Sequence, residues 1–250
     1  MGKRLNTVLL EELYNKNKSY KEIIEITGYN RNSVNGYFHR TKGPMKDSRK
    51  FRRNSIEITD IQRQILFGTL MGDGNLQKQK IRSYSGRYNH SIKQLIYCEH
   101  IREKLGSLCS DVKFATSVGS NGKTYNSCYF ILKNNLNLEY FYNMFYNNTK
   151  KDVPLDLSLL TPLAMAYWFM DDGTASGGCS ISIATCSFSL EGLLRLKEYL
   201  KKTYDIDITI QKDFKIYFEA RSARIFYTLT KDYIIPEMQY KFKFINPLLI

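Results

Sequence analysis

The sequence predicts an α+β protein of two pseudo-symmetric halves with antiparallel, saddle-shaped sheets, preceded by a small N-terminal all-α module. Three observations lead there. An apolar helical stretch closed by an acidic residue and a glycine occurs twice, as ILFGTLMGDG at 65–74 and TPLAMAYWFMDDG at 161–173, about a hundred residues apart. Each copy is followed by strand-like sequence and is itself the first helix of the same succession of helix, hairpin, helix, hairpin, helix. Residues 1–41, by contrast, read as helices alone. The expected divisions are 1–41, a linker at 42–55, and halves at 56–153 and 154–250.

In the front module, Leu5 to Tyr14 is amphipathic, Ser19 can cap YKEIIEI, and Asn30 can cap RNSVNGYFHR after the stop at Thr27-Gly28. Two helices joined by a glycine-containing turn suit a helix-turn-helix, with Arg31, Asn32, Ser33 and Asn35 toward a DNA groove. A generic three-helix cap with a solvated polar face fits the same pattern equally well. The linker KGPMKDSRKFRRNS carries Arg49, Arg52 and Arg53, and reads as a basic arm along phosphates or as a solubilising tether. Residues 1–55 hold 13 Lys/Arg against 5 Asp/Glu, a net of +8 out of +13 for the chain.

That balance, with a pI near 9.4, points to a polyanionic partner. Nucleic acid is the commonest, although a membrane surface or a ribosome would also attract it. No apolar run approaches a membrane span and no signal-peptide core precedes the first helix, so a soluble intracellular protein is expected. The five cysteines lack any CxxC pair and read as reduced thiols.

The duplicated helices carry the chemistry. Thr59-Asp60-Ile61-Gln62 has the form of a capping box, and Thr161 with Pro162 makes a helix start. Gly68 and Gly72 leave a smooth face for a close backbone. The helices end in Asp73-Gly74 and Asp172-Gly173, so each delivers a carboxylate at its C-terminus, where the partial negative charge disfavours it. Two such ends brought together repel unless a divalent cation lies between them. For one copy alone, Asp-Gly would be an ordinary turn; duplication favours a site.

The first hairpin places Asn75, Gln77 and Gln79 on one strand face, opposite Leu76, Lys78, Lys80 and Arg82. Past a turn expected at Ser85-Gly86, Arg87, Asn89, Ser91 and Lys93 alternate with Tyr88, His90 and Ile92. Arg, Asn and Gln are the side chains that make bidentate contacts to base edges, and a β-ribbon enters a major groove. A wet half-buried hairpin would alternate similarly. A helix follows at Leu95–Leu105, strands at Val112–Val118 and Tyr125–Leu132, and an aromatic helix at about Leu136–Tyr146. After the second motif come a hairpin near Cys179–Cys186, a helix at Leu190–Lys202, strands at Ile206–Gln211 and Phe214–Phe218, and a helix at Ala223–Asp232. Ser180 and Ser182, with Gln211, Lys212 and Lys215 at a hairpin tip, complete the expected DNA contacts. The many tyrosines and phenylalanines read as core.

LFGTLMGDG and MAYWFMDDG resemble the paired motifs of the LAGLIDADG homing endonucleases. AYWFMDDG, the Lys-x-x-Pro before it and an IP-x-M-x-YK segment near the C-terminus are similar to single-chain, intron-encoded members, over about residues 56–250. The resemblance implies αββαββα halves in a monomer that makes a metal-dependent double-strand break with short 3′ overhangs in a long DNA target. Asp73 and Asp172 would be the metal ligands, one for each strand, with the carbonyls of Gly72 and Asp171 adding hard oxygen donors. Lys151, three before Pro154, and Lys241, five after Pro236, match the family's paired lysines, which assist the water or the charge; a plain phosphate contact is their other reading. Magnesium is the expected cofactor, with manganese substituting and calcium binding without supporting cleavage. Tyr167 and Asp171 stand where the family has small residues, so close packing should rest on Gly68 and Gly72.

The alternative is a non-catalytic binder, an intron RNA maturase or a helix-turn-helix regulator, for which both aspartates would be unnecessary. An EF-hand fails because position 12 is Tyr84 or Ile183, and the scattered His39, His90 and His100 argue against histidine-metal nuclease sites. Terminal splicing residues are lacking, so a freestanding protein is expected over an intein. An AT-rich coding bias suits a bacterial or phage-host cytoplasm or an organelle.

Overall fold

The structure, a computed structural model, describes residues 5–16, 18, 20–42, 56–79, 83–120, 122–177 and 179–242. The chain divides into two units, Met1–Ser55 and Ile56–Ile250. The first holds α1 (Thr7–Asn15), α2 (Tyr20–Thr27) and α3 (Arg31–Lys42). Asn6 caps α1 by accepting from the Leu9 N–H at 3.1 Å. Gly28, at φ +67°, takes the left-handed turn before α3 that other residues adopt at a cost. Leu10, Ile23, Val34 and Phe38 are fully buried, and Tyr14 and Tyr20 stack on Phe38. Arg31, Asn32 and Ser33 are exposed and Asn35 is half-buried. Ser19 and the linker arginines Arg49, Arg52 and Arg53 lie outside the described residues.

The second unit is a repeated αββαββα. The first half runs α4 (Asp60–Met71), β1 (Asn75–Gln79), β2 (Ser83–Ser91), α5 (Leu95–Leu105), β3 (Lys113–Val118), β4 (Thr124–Leu132) and α6 (Leu138–Phe145). A short pair, β5 (Tyr146–Asn147) and β6 (Lys150–Lys151), follows. The second half runs α7 (Pro162–Asp172), β7 (Gly173–Ser176), β8 (Ser180–Ile183), α8 (Leu190–Tyr204), β9 (Thr209–Ile210), β10 (Ile216–Phe218) and α9 (Ala220–Thr230). Both sheets are antiparallel with the same order, β1-β2-β4-β3 and β7-β8-β10-β9.

The motif helices α4 and α7 pack against each other at the centre. Thr59 caps α4 in a reciprocal capping box with Gln62, and Thr161 caps α7 with Pro162 in its first turn. The approach is close enough that a Cβ on Gly68 would lie 2.2 Å from the Ala164 carbonyl oxygen, so only glycine fits. One apolar core then runs through both halves, including Phe67, Phe145, Trp168, Phe169 and Phe226.

Three expectations are corrected. Ser85-Gly86 is not a turn: both residues lie in β2, with Gly86 paired to Leu76 and Leu132 and Ser85 to Gln77, and Arg82 lies outside the described residues. The dipeptide misleads because Gly86 is there for proximity, a Cβ meeting the Asn75 carbonyl at 2.3 Å. The second hairpin begins earlier than expected, its first strand β7 opening at Gly173 itself. Ser180 is buried, its hydroxyl donating to the Gly177 carbonyl at 2.5 Å, and is therefore withdrawn from the contact face.

Candidate active site and nucleic-acid face

The site forms where α4 and α7 end side by side. Gly72 closes α4 by donating to the carbonyls of Gly68 and Thr69, and Asp73 follows in the turn with its side chain 44% exposed. Gly72 also makes room across the helix pair: a Cβ there would sit 2.6 Å from Asp171 Oδ2. Asp171 occupies that space, 9% exposed. Its Oδ1 accepts from the Tyr97 hydroxyl at 2.8 Å and its Oδ2 from the Asp73 N–H at 3.2 Å. Asp172, the last residue of α7, is half-buried.

The lysines take equivalent places in the two halves. Lys151, from β6, donates to the Gly72 carbonyl at 2.7 Å and to the Gly74 carbonyl at 3.0 Å. Lys241 donates to the Asp171 carbonyl at 2.8 Å. Gly72 and Asp171 are matched positions of the two motifs, so each ammonium holds the peptide oxygen just ahead of a candidate metal ligand. Each carbonyl oxygen keeps a second lone pair.

Electrostatically the site is over-supplied with negative charge. Burial, then the charge of Asp73, push the Asp172 carboxyl up to about 7, against the pull of Lys151 and Lys241. Burial and Asp73 hold the Asp171 carboxyl well above the usual carboxylate range. Burial lowers both lysines, while the three aspartates oppose that. A buried histidine joins the group: His90 Nδ1 lies 3.6 Å from Asp73 Oδ2. Asp73, His90 and Asp171 each offer a ligand atom within 4.8 Å of the others. Clustered carboxylates, carbonyl oxygens and an imidazole are a donor set that fits a divalent cation.

One face of the first sheet is polar and open. Asn75, Gln77 and Gln79 on β1, and Arg87, Asn89 and Ser91 on β2, are exposed, while Leu76, Tyr88 and His90 point to the core. Arg87 stacks over Tyr129 at 3.8 Å and donates to Asn89 Oδ1 at 3.3 Å. Lys93 is exposed but sits in the helical turn after β2. The register extends this face to Lys113, Ser127, Tyr129 and Ile131 on β3 and β4, which the sequence marked as strand without assigning them to the surface. In the second half, Ser182 pairs with exposed Thr174 on β7. Gln211 and Lys212 are exposed at the β9–β10 tip, and Lys215 is paired to Asp213 at 2.8 Å.

Known proteins resemble this chain in sequence and fold. Residues 63–226 match the LAGLIDADG DNA endonuclease family. The chain is 31% identical over 209 residues to DNA endonuclease I-ChuI of Chlamydomonas applanata, covering 74% of this chain and 96% of that one. It is 28% identical over 192 residues to the cytochrome b mRNA maturase bI2 of Debaryomyces hansenii, covering 71% of this chain and 72% of the maturase. Among solved structures, the homing endonuclease I-WcaI bound to its DNA recognition sequence superposes with a TM-score of 0.70 at 25% identity, over 79% of this chain and 92% of that one. The chain belongs to the LAGLIDADG DNA endonuclease family: it is a DNA endonuclease.

Proposed function

We propose that the chain is an intron-encoded, magnesium-dependent homing endonuclease that acts as a monomer and makes a double-strand break in a long DNA site. The observation that carries this reading is the pairing of the motif ends. Two helices packed at Gly68 and Gly72 bring Asp73 and Asp172 within mutual electrostatic reach, each flanked by a carbonyl that a lysine holds.

Asp73 and Asp172 would hold magnesium, with the Gly72 and Asp171 carbonyls as further oxygen donors. When bound, the metal supplies positive charge for an attacking water and a departing oxygen. The protein's own part is placement. Lys151 and Lys241 orient the two carbonyls and put two ammonium groups beside the carboxylates, where a scissile phosphate adds further negative charge. The polar face of β1–β4 and the β9–β10 tip would track the duplex, with Arg87, Asn89, Gln77 and Gln79 toward base edges. A fold held within one chain needs no second copy to supply the other half-site. The wording AYWFMDDG further likens the chain to the single-chain, intron-encoded enzyme I-SceI, and an organelle or a bacterial or phage-host cytoplasm would suit such a gene.

Incubating the full chain with the intron-less allele of its host gene tests the reading. Linear product with magnesium, and binding without product in calcium, are expected. Binding to the intron transcript, with the DNA intact under every metal, would instead favour the maturase reading that the Debaryomyces hansenii relative raises.

A further inference from the structure

We propose that His90 is a positioning residue for Asp73, which makes the two half-sites unequal: one strand is cut by a carboxylate with a buried imidazole beside it and the other by one without. This rests on the endonuclease reading above. Asp73 is held at its backbone and approached at its side chain. Its N–H donates to Asp171 Oδ2 at 3.2 Å, and Asp171 is itself fixed by the Tyr97 hydroxyl at 2.8 Å. His90, its side chain 1% exposed, sets Nδ1 3.6 Å from Asp73 Oδ2. The Tyr97 ring lies edge-on to the imidazole, centroids 5.3 Å apart, so Tyr97 braces both neighbours of Asp73. A separation of 3.6 Å is beyond hydrogen-bond reach, as catalytic contacts often are before substrate arrives.

The second half lacks this arrangement. Matching Asp73 to Asp172 sets Asn75 against Thr174, and the strand pairs Asn75–Arg87 and Thr174–Ser182 then set Arg87 against Ser182. Three residues further on, His90 is matched by Thr185. Thr185 is buried, but its hydroxyl donates to the Phe214 carbonyl at 2.5 Å and so belongs to the β9–β10 turn. Asp171 is matched by Gly72, which has no side chain to offer. Two groups beside Asp73 therefore have no equivalent at Asp172. Burying an imidazole against a carboxylate costs more than burying an apolar side chain, and packing alone gives no reason to keep one there.

Duplex target labelled on each strand in turn, cut by the full chain with magnesium under single-turnover conditions, gives a separate rate for each strand. His90→Ala should slow one strand at least about tenfold relative to the other and accumulate nicked duplex, since small misplacements of a reacting group cost that much or more. His90→Asn, whose amide nitrogen falls near Nδ1, should recover part of the ratio, and Thr185→Val should leave it as in the wild type. Thermal stability and calcium-supported DNA binding identify folded variants, and His90→Gln replaces His90→Ala if the latter does not fold. Equal slowing of both strands, or an unchanged ratio in a folded variant, overturns the proposal. So does failure of both Ala and Gln variants to fold, which would make His90 a core residue. A wild-type chain that cuts neither strand would refute the endonuclease reading itself.

Discussion

Asp171 and Asp172 are adjacent in sequence and opposite in situation. Both feel the charge of Asp73, but Asp171 is sealed against Gly72 with both oxygens accepting, whereas Asp172 is half-buried with the ammonium groups of Lys151 and Lys241 pulling against its burial. Asp172→Asn should lower cleavage by about a thousandfold or more, the scale of losing one charge-stabilising group, while calcium-supported DNA binding survives. Asp171→Asn should instead cost about 1–3 kcal/mol of stability in urea unfolding, because the amide cannot accept from both donors. The raised Asp172 pKa also has a pH signature. A carboxyl that titrates near 7 when folded and near 3.8 when unfolded binds more proton in the native state between those values. Metal-free stability should therefore fall as pH rises from about 4 to about 7, and level off above. Calcium needs the ionised form, so it should raise the melting temperature more at pH 8 than at pH 5; Asp172→Asn should flatten both trends. That Asp73 and Asp172 end neighbouring helices was legible from the duplicated motif, and Lys151 and Lys241 were marked by the family resemblance alone. His90 was not, because it is seventeen residues from Asp73 in sequence and only the β1–β2 register brings the two together.

At the scale of elements, the helix pair determines whether the site exists. Gly68→Ala would place a methyl 2.2 Å from the backbone oxygen of Ala164, and backbone cannot swing aside as a flexible side chain would. Overpacking of this kind costs roughly 1–3 kcal/mol or more. Urea unfolding should report that loss, and cleavage should fall further than stability because separation of the helices moves Asp73 from Asp172. A variant as stable and as active as the wild type would remove the close contact from the argument. The same helices were the most legible elements, since Thr59–Gln62 and Thr161–Pro162 carry their start signals in adjacent residues. Hairpins were read less well. A Gly inside β2 and a strand that starts on the motif's own glycine both obey proximity between distant segments, which local propensity does not encode.

At the scale of the whole molecule, the two units have separate hydrophobic cores, Leu10, Ile23, Val34 and Phe38 in one and the large shared core of both halves in the other. The larger core draws on no residue before Ile56, so residues 56–250 should remain a cooperative, cleaving enzyme when produced without the first fifty-five. What that shortened chain loses is charge, because +8 of the net +13 lies in residues 1–55. Binding through Lys and Arg to phosphates releases counterions, and the slope of log affinity against log salt becomes shallower by about one for each phosphate contact removed. If α3 and the basic linker engage DNA, the shortened chain should match the full chain at low salt, fall behind it near physiological salt, and show a slope reduced by several. Arg31→Ala, on the exposed start of α3, should reproduce about one unit of that change if it meets a phosphate. An identical slope with and without the module would make it a structural cap instead. Specificity would separate the remaining possibilities: a module that reads base edges should leave a sequence preference outside the footprint of the shortened chain, whereas a purely electrostatic arm should add affinity to every duplex alike.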